Sequence, residues 1–379
     1  MAQLIGKDKM KFFADFHHGG AARGLFLTLK HRLGHDIYFP DASFAQYACN
    51  YFKKPGTWLG LCASSSQNNG GIPAQYLNPD GSFPFIISKE QFLSENWDAV
   101  YITRTESQPI FKHLLDLHPN GKNIKRIGSM GNENTVFDWS WVRNFMVSDY
   151  LSYVSAPHDI NKIHYSQEMG TQFAEEQKEF TPIKKENLNK ISTFINCLSS
   201  FTGPWKWDSE QSGWKGRCPH CDGYPDMSLH PEISVFGIWN EIKKRYTNHQ
   251  FLDYGIANTC GVIHEKELPK KYLDSALTWH LKTYDGYGYS LLQSVAMGRL
   301  PIVPRRFHRY RTAGNYLINN LTCFEVEWTA DSIGKVIEYF TADLDRANKY
   351  SEACFNAAKH LFNWEHEAYR VGEFLNKLI

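Results

Sequence analysis

Residues 283–304 have the sequence TYDGYGYSLLQSVAMGRLPIVP. Two glycines alternate with tyrosines, a segment with helical spacing follows directly, and LPIVP then indicates a buried strand. A glycine-rich turn between a strand and a helix, with another strand after it, is typical of a parallel α/β sheet. Two interpretations of the turn are open. It only connects the two elements, or it binds a phosphate at the helix N-terminus, where the dipole and the N–H groups favour an anion.

The same pattern of strand, turn and helix occurs at the start of the chain. The apolar segment MKFFADF (10–16) precedes HHGGAARG, and leucines at helical spacing lead to the strand candidate DIYFP (36–40). Further strands and helices alternate at 97–103, 108–118 and 124–130. The first half of the sequence therefore predicts a doubly wound α/β domain.

The second half is also of the α/β type. A polar stretch at 170–190 suits a linker, and 201–231 is long and irregular, as in a functional loop or an insertion. Strands and helices are expected, in chain order, at 191–200, 233–246, 249–255, 267–276, 277–282, 290–298 and 300–304. We therefore predict two Rossmann-like domains facing a central cleft, with ligands beyond the carboxyl ends of the strands.

Composition excludes several classes of protein. Of the 379 residues, 42% are apolar and 21% charged, which is ordinary for a globular protein, and the net charge of +1 excludes a strongly basic nucleic-acid binder. No apolar run is long enough to predict a transmembrane helix, and the first residues do not resemble a signal peptide. The eight cysteines are widely spread and are expected to be reduced thiols. These observations predict a cytoplasmic protein.

The stretch DGYGYSLLQSVAMGRLPIV resembles the nucleotide-sugar signature of GT-B glycosyltransferases, above all the large retaining family with E-G-F-G-x-x-x-x-E before a small-residue helix, Gly and P-V-V. Residues 17–39, 261–276 and 360–375 resemble other segments of that family in the same order. The resemblance implies a GT-B fold in which residues 1–185 form an acceptor domain and 186–358 a donor domain, while 359–379 form a helix that crosses back to the first domain.

The resemblance also implies a nucleoside diphosphate sugar bound mainly by the second domain. Asp285 takes the place of the family's first glutamate, near the sugar hydroxyls, and is a catalytic candidate. Gln293 takes the place of the second, which binds the ribose. Both depart from the family pattern, since aspartate is shorter and glutamine uncharged, which leaves the donor's identity open. The other positions implied at the donor are Gly19, Gly20, Gly286, Tyr287, Gly288, Tyr289 and Ser290.

Basic residues are implied at the diphosphate, where positive charge stabilises the leaving group. The candidates lie in the irregular insertion: Lys206, Lys215 and Arg217. No bound metal is required in this interpretation, because the helix dipole and the basic residues replace it. In retaining members the leaving phosphate itself takes the acceptor proton.

The acceptor is expected to contact other parts of the chain. RRFHRYR (305–311) is a solvated loop, or it supplies Arg305, Arg306 and Arg309 to the donor phosphates or to a polyanionic acceptor such as DNA. Arg104 and Glu106 follow the strand at 97–103 and are further acceptor-binding candidates. His18, in the first glycine-rich loop, is a catalytic candidate that orients the acceptor hydroxyl, or it is an ordinary polar loop residue.

The motif CPHC (218–221) has three interpretations. Cys218 and Cys221 form a redox pair, belong to a structural zinc site, or are two reduced thiols in a loop. The proline that follows in DGYP argues against the helix of a redox site, and a second CxxC that would complete a zinc site is missing.

The sequence thus predicts an enzyme, a glycosyltransferase moving a hexose or pentose from a nucleotide sugar, such as a UDP-sugar, to a hydroxyl, with retention. The acceptor is a glycan or a hydroxymethylated base in DNA, as with phage DNA-modifying enzymes of this fold. The alternatives are a nucleotide-sugar-binding protein of the same fold without catalysis, and a sugar-nucleotide epimerase. The oligomeric state is open.

Overall fold

The computed structural model describes residues 9–15, 19–52, 72, 74–131, 137–165, 177–195, 206–208, 213–215, 235–255, 258–263, 267–281, 288–305 and 312–378. The chain divides into two compact units. The first comprises Met1–Thr171 with Asn363–Ile379, and the second comprises Gln172–Phe362. Each unit is built on a parallel sheet with helices between its strands, so the α/β class expected from the sequence is confirmed.

The first unit contains a seven-stranded parallel sheet. Its strand order is β3-β2-β1-β4-β5-β6-β7. The strands are Lys11–Ala14 (β1), Asp36–Pro40 (β2), Ile86–Ile87 (β3), Ala99–Ile102 (β4), Lys125–Met130 (β5), Asn144–Val147 (β6) and Asn161–His164 (β7). The strands expected at 10–16, 36–40, 97–103 and 124–130 are all present, whereas β3, β6 and β7 were not expected.

The helices of the first unit follow its strands. Capping sets the start of at least one of them, since the Ser88 hydroxyl accepts a hydrogen bond from the N–H of Gln91 and the Gln91 side chain bonds back to the N–H of Ser88. The helices are Gly19–Phe26 (α1), which continues as a π-helical turn at Leu27–Arg32, Ala42–Phe52 (α2), Lys89–Ser94 (α3), Gln108–Leu117 (α4) and Tyr150–Ser155 (α5).

The core of this unit lies on both faces of the sheet. Successive side chains of a strand point to opposite faces. Accordingly Phe12 belongs to one buried cluster, with Phe26 and Phe39, and its neighbour Phe13 belongs to the other, with Phe44 and Phe111 in the same layer. Burial on both faces explains why β1 has a continuous apolar sequence rather than an alternating one.

The second unit contains a five-stranded parallel sheet of order β11-β8-β12-β13-β14 and a separate antiparallel pair, β9 with β10. The strands are Lys190–Phe194 (β8), Lys206–Asp208 (β9), Gly213–Lys215 (β10), Gln250–Tyr254 (β11), Leu277–Trp279 (β12), Pro301–Pro304 (β13) and Phe324–Val326 (β14). The strands expected at 191–200 and 277–282 are shorter than predicted: β8 ends at Phe194 and β12 at Trp279.

Helices again alternate with the strands of the second unit. They are Val235–Arg245 (α6), Leu268–Leu273 (α7), Tyr289–Ala296 (α8), Ala330–Thr341 (α9) and Leu344–Leu361 (α10). The last helix, Trp364–Asn376 (α11), belongs to the first unit, where Val371, Phe374 and Leu375 join the cluster that contains Phe12.

Candidate active site

Helix α8 in the second unit begins at a glycine in the left-handed backbone region. Gly288 has φ 73° and directly precedes the helix. A Cβ atom there would lie 2.7 Å from Leu291 Cδ1 and 3.1 Å from the Tyr316 hydroxyl, which itself donates a hydrogen bond to the Gly288 carbonyl at 3.1 Å. Both the backbone angle and the space therefore require glycine, and the predicted turn before the helix is present at this position.

The N-terminus of α8 is suited to an anion. Its first residues, Tyr289 and Ser290, are half-buried, and no side chain caps the helix. The first N–H groups of any α-helix have no acceptor within the helix, and the helix dipole places partial positive charge there. An anionic oxygen at this end of α8 would find N–H donors and a favourable field.

Gln293 is held by a buried tyrosine. The Tyr272 hydroxyl lies 3.1 Å from Gln293 Oε1 and 3.2 Å from the Ser290 carbonyl oxygen, and it is the donor in both contacts. The Tyr272 ring is fully buried and stacks on Phe194, with ring centroids 4.0 Å apart. Burial raises the pKa of Tyr272 well above its usual value, so the hydroxyl stays protonated and remains a donor. The half-buried Gln293 side chain is therefore fixed on the first turns of α8.

A second contact ties β12 to the start of α8. His280 follows β12 and is buried, and its Nδ1 lies 3.3 Å from the Ser290 hydroxyl. One turn further on, the Ser294 hydroxyl is 2.5 Å from Thr278 Oγ1 on β12. The strand thus fixes α8 through side chains on the same side of the helix as Ser290.

The other predicted site residues form two groups: those that the structure describes and those that lie outside the described residues. Gly19 and Gly20 are the first two residues of α1, and Lys206 and Lys215 occupy paired positions on β9 and β10. The following predicted site residues lie outside the described residues, and their roles stay predictions: His18, Arg217, Cys218, Cys221, Asp285, Gly286, Tyr287, Arg306 and Arg309.

The predicted acceptor-binding residues that are described have different environments. Arg305 is exposed after β13, and its Nη1 lies 2.7 Å from Glu327 Oε1. Arg104 is half-buried and directly precedes the 3₁₀ turn Thr105–Ser107, which follows β4 in the first unit and on which Glu106 is exposed. The Glu327 carboxylate offsets part of the positive charge that Arg305 would otherwise offer to a polyanion.

One acidic residue of the first unit was missed by the sequence predictions. Asp15, just past β1, is completely buried, and its Oδ1 accepts a hydrogen bond from the N–H of Thr103 at 2.6 Å. Burial raises the pKa of Asp15 to about 6, although the N–H of Thr103, the neighbouring Ser107 and Thr103 hydroxyls and the charge of Arg104 oppose that shift. A carboxylate at the carboxyl end of an otherwise apolar strand is the sequence signal that would have identified it.

Two other features of the described residues concern metal binding and membrane insertion. Within the described ranges, no group of three or more His, Cys, Asp or Glu side chains is placed to hold a metal ion. Among the helices described in the structure, none combines the length and the apolar character needed to cross a membrane.

Comparisons with known proteins identify the architecture. No family model and no curated protein matches the sequence. Among solved structures, a glycosyltransferase from Rickettsia africae ESF-5 matches with a TM-score of 0.55 and 14% identity over 98% of this chain and 99% of that one. Sucrose-phosphate synthase from Thermosynechococcus elongatus matches with a TM-score of 0.55 and 12% identity over 98% and 99%. HepE from Anabaena, in complex with UDP and glucose, matches with 0.53 and 10% over 97% and 100%.

These likenesses extend over nearly the whole of each chain. At such low identity they show the fold alone. The prediction of a GT-B fold, with one parallel sheet in each of two Rossmann-like units, is therefore confirmed.

Proposed function

We propose that the chain is a glycosyltransferase that moves a sugar from a UDP-sugar to a hydroxyl acceptor. The observation that carries the proposal is the Gly288 turn, which opens the uncapped N-terminus of α8 at the carboxyl end of β12. Two similar structures support it, since HepE is described in complex with UDP and Starch Synthase IV from Arabidopsis thaliana bound to ADP.

In this proposal the donor diphosphate lies against the start of α8. The backbone N–H groups near Ser290 and the helix dipole stabilise the negative charge that develops on the leaving group. Gln293, oriented by Tyr272, hydrogen-bonds the ribose. Lys206, Lys215 and Arg217 are proposed as the basic residues at the diphosphate, and Asp285 and His18 as contacts of the transferred sugar and the acceptor hydroxyl.

The proposed reaction proceeds with retention and needs no resident metal. The bond between the anomeric carbon and the phosphate oxygen breaks, and the acceptor oxygen bonds to that carbon on the same face. The acceptor proton passes to the leaving phosphate oxygen, so UDP departs. Because no protein carboxylate takes the proton, the main contribution expected of the protein is positioning and electrostatic stabilisation.

Two glycines of α8 provide a matched test of the donor site. Gly288 and Gly298 lie at opposite ends of the helix, with φ 73° and 68°, and a Cβ atom would meet a neighbour at 2.7 Å and 2.8 Å respectively. We expect Gly288→Ala to weaken UDP binding about tenfold, since the phosphate-facing backbone shifts, a loss of roughly 1.4 kcal/mol. Gly298→Ala should lose comparable stability and keep its UDP affinity. Isothermal titration calorimetry with UDP measures both.

The outcomes separate the alternatives. Equal UDP affinity in the two variants would place the donor elsewhere, and a wild-type chain that does not bind UDP would exclude the proposal. Mass spectrometry of reactions with UDP-sugars and a panel of hydroxyl acceptors then tests turnover. UDP binding without any product favours a binding protein, and an altered sugar nucleotide without an acceptor favours an epimerase.

A further inference from the structure

The carboxyl ends of β1 and β4 meet at one place in the first unit. The two strands are neighbours, with Ala14 paired to Tyr101. Directly after them, the N–H of Asp15 donates to the Tyr101 carbonyl at 3.3 Å, and the N–H of Thr103 donates to Asp15 Oδ1 at 2.6 Å. This junction lies at the edge of an open parallel sheet where ligands commonly bind.

Three side-chain oxygens at this junction are buried without a hydrogen-bond partner in the part of the chain that the structure describes. They are Asp15 Oδ2, Thr103 Oγ1 and Thr105 Oγ1. Native proteins satisfy nearly all buried polar atoms, so a local group of three exceptions needs an explanation. A polar molecule that supplies the missing hydrogen bonds provides one.

The chemistry of the three oxygens limits what that molecule is. An ionised carboxylate only accepts hydrogen bonds, whereas each threonine hydroxyl both donates and accepts. A phosphate group has no proton for Asp15 and would be repelled by it, while a sugar hydroxyl satisfies both kinds of partner. Thr103 and Thr105 are half-buried, so each of these residues is partly open to solvent on the side from which a ligand could approach.

We propose that Asp15, Thr103 and Thr105 form a subsite that binds hydroxyl groups of a neutral carbohydrate, the glycan acceptor of the reaction. Its role as acceptor site rests on the proposed function, but its binding chemistry does not. The nearby Arg104 balances the Asp15 charge, because its positive charge acts on that carboxylate. The subsite thereby favours a neutral glycan over DNA as the acceptor.

Saturation-transfer difference NMR on the full chain with UDP present tests the proposal. The neutral probes are maltotriose, chitotriose and mannotriose, and the anionic probe is a DNA duplex containing 5-hydroxymethylcytosine. We expect at least one trisaccharide to bind. Thr103→Val and Thr105→Val, which remove only a hydroxyl, should each weaken that binding about fivefold, the effect of one lost neutral hydrogen bond.

Two further variants help to separate a loss of binding from a loss of folding. Asp15→Asn keeps an oxygen for the N–H of Thr103 and should also weaken trisaccharide binding, because the amide has lost the charge of the carboxylate. Thr28→Val is the matched control: it removes a buried hydroxyl of the π-helical turn after α1, which contacts the Tyr165 hydroxyl at 2.8 Å. This control and all subsite variants should retain wild-type UDP affinity.

The results distinguish failure of the subsite from failure of the donor proposal. If no trisaccharide binds while UDP does, the subsite proposal is wrong and the donor site stands. The subsite is also wrong if the duplex binds and the two valine variants leave that binding unchanged. Trisaccharide binding that the valine variants weaken, in a chain that does not bind UDP, supports the subsite and removes only the donor proposal.

Discussion

Two fully buried charged residues, Arg299 in the second unit and Asp15 in the first, differ in how many of their polar atoms have a hydrogen-bond partner. The Arg299 guanidinium donates to the Ser275 carbonyl at 2.8 Å, to the Ser351 hydroxyl at 2.9 Å and to the Thr181 carbonyl at 3.1 Å. Asp15 has one oxygen engaged and one without a partner among the described residues. If Asp15 binds the proposed acceptor, the comparison teaches that a buried charge serving structure is fully satisfied, whereas one serving a ligand keeps bonding capacity open.

Arg299 remains charged despite its burial. Desolvation lowers the pKa of Arg299 to about 10, which still leaves the guanidinium protonated at neutral pH. Its acceptors come from segments before β8, after α7 and within α10, so one side chain ties three parts of the second unit together. This arrangement fixes the C-terminal end of α8, just as the Gly288 turn fixes its start.

Removal of the Arg299 guanidinium should have the largest effect on stability. Arg299→Met leaves three oxygens, two of them buried and one partly buried, without their donor, and we expect a loss of about 3 to 5 kcal/mol in the free energy of unfolding. Urea denaturation measures it. Arg245→Met is the control, since Arg245 contacts Glu241 and Asp331 at the surface and should matter little. Similar small effects in both variants would show that the Arg299 network is not a structural anchor.

Replacement of Asp15 should raise the free energy of unfolding instead of lowering it, and the size of this effect should depend on pH. Its pKa is raised from 3.8 to about 6 in the folded chain, so the fold disfavours the ionised form. The resulting destabilisation is complete above pH 6, about 3 kcal/mol at most, and it disappears as the pH falls below the unfolded value near 4. Asp15→Asn should therefore be more stable than wild type at pH 7.5 and lose this advantage by pH 4.

Thermal unfolding of both chains across this pH range tests the assignment. An advantage of Asp15→Asn that does not change with pH would mean that ionisation of Asp15 is not its cause. A variant that is less stable than wild type at pH 7.5 would mean that the carboxylate makes stabilising contacts not described above. Loss of carbohydrate binding together with gained stability would mark Asp15 as a site at which stability is lower for the sake of function.

The glycine-rich turns and the apolar strands made most of the fold predictable from sequence. Buried parallel strands such as β1 and β4 are continuous apolar runs, and Gly288 falls at the predicted turn. Strands β6 and β7 were missed because β7 is mostly polar and neither strand leads into a glycine-rich turn of the kind that marks β1. Such short segments do not show a periodicity that separates a strand from a loop.

The site was predictable only where local sequence determines it. The start of α8 follows from a turn and a helix that are adjacent in sequence. Arg299, in contrast, depends on Ser351 and Thr181, which lie 52 and 118 residues away along the chain. Asp15 likewise depends on Thr103, 88 residues away. Tertiary packing decides whether a buried charged group finds its hydrogen-bond partners, and no local sequence pattern predicts this.

The smallest expected effect compares two threonines of the first unit. Thr28 Oγ1 is paired with the Tyr165 hydroxyl at 2.8 Å, whereas Thr103 Oγ1 has no partner among the described residues. Thr28→Val should cost about 1 kcal/mol, because it removes one hydrogen bond of the buried Tyr165 hydroxyl, which also donates to the Gly24 carbonyl at 3.3 Å. Thr103→Val should be neutral or slightly stabilising in the absence of carbohydrate, since the buried hydroxyl has no bond to lose. Differential scanning calorimetry of the two variants measures the difference, and an equal loss in both would show that Thr103 is satisfied within the protein and that no ligand is needed there.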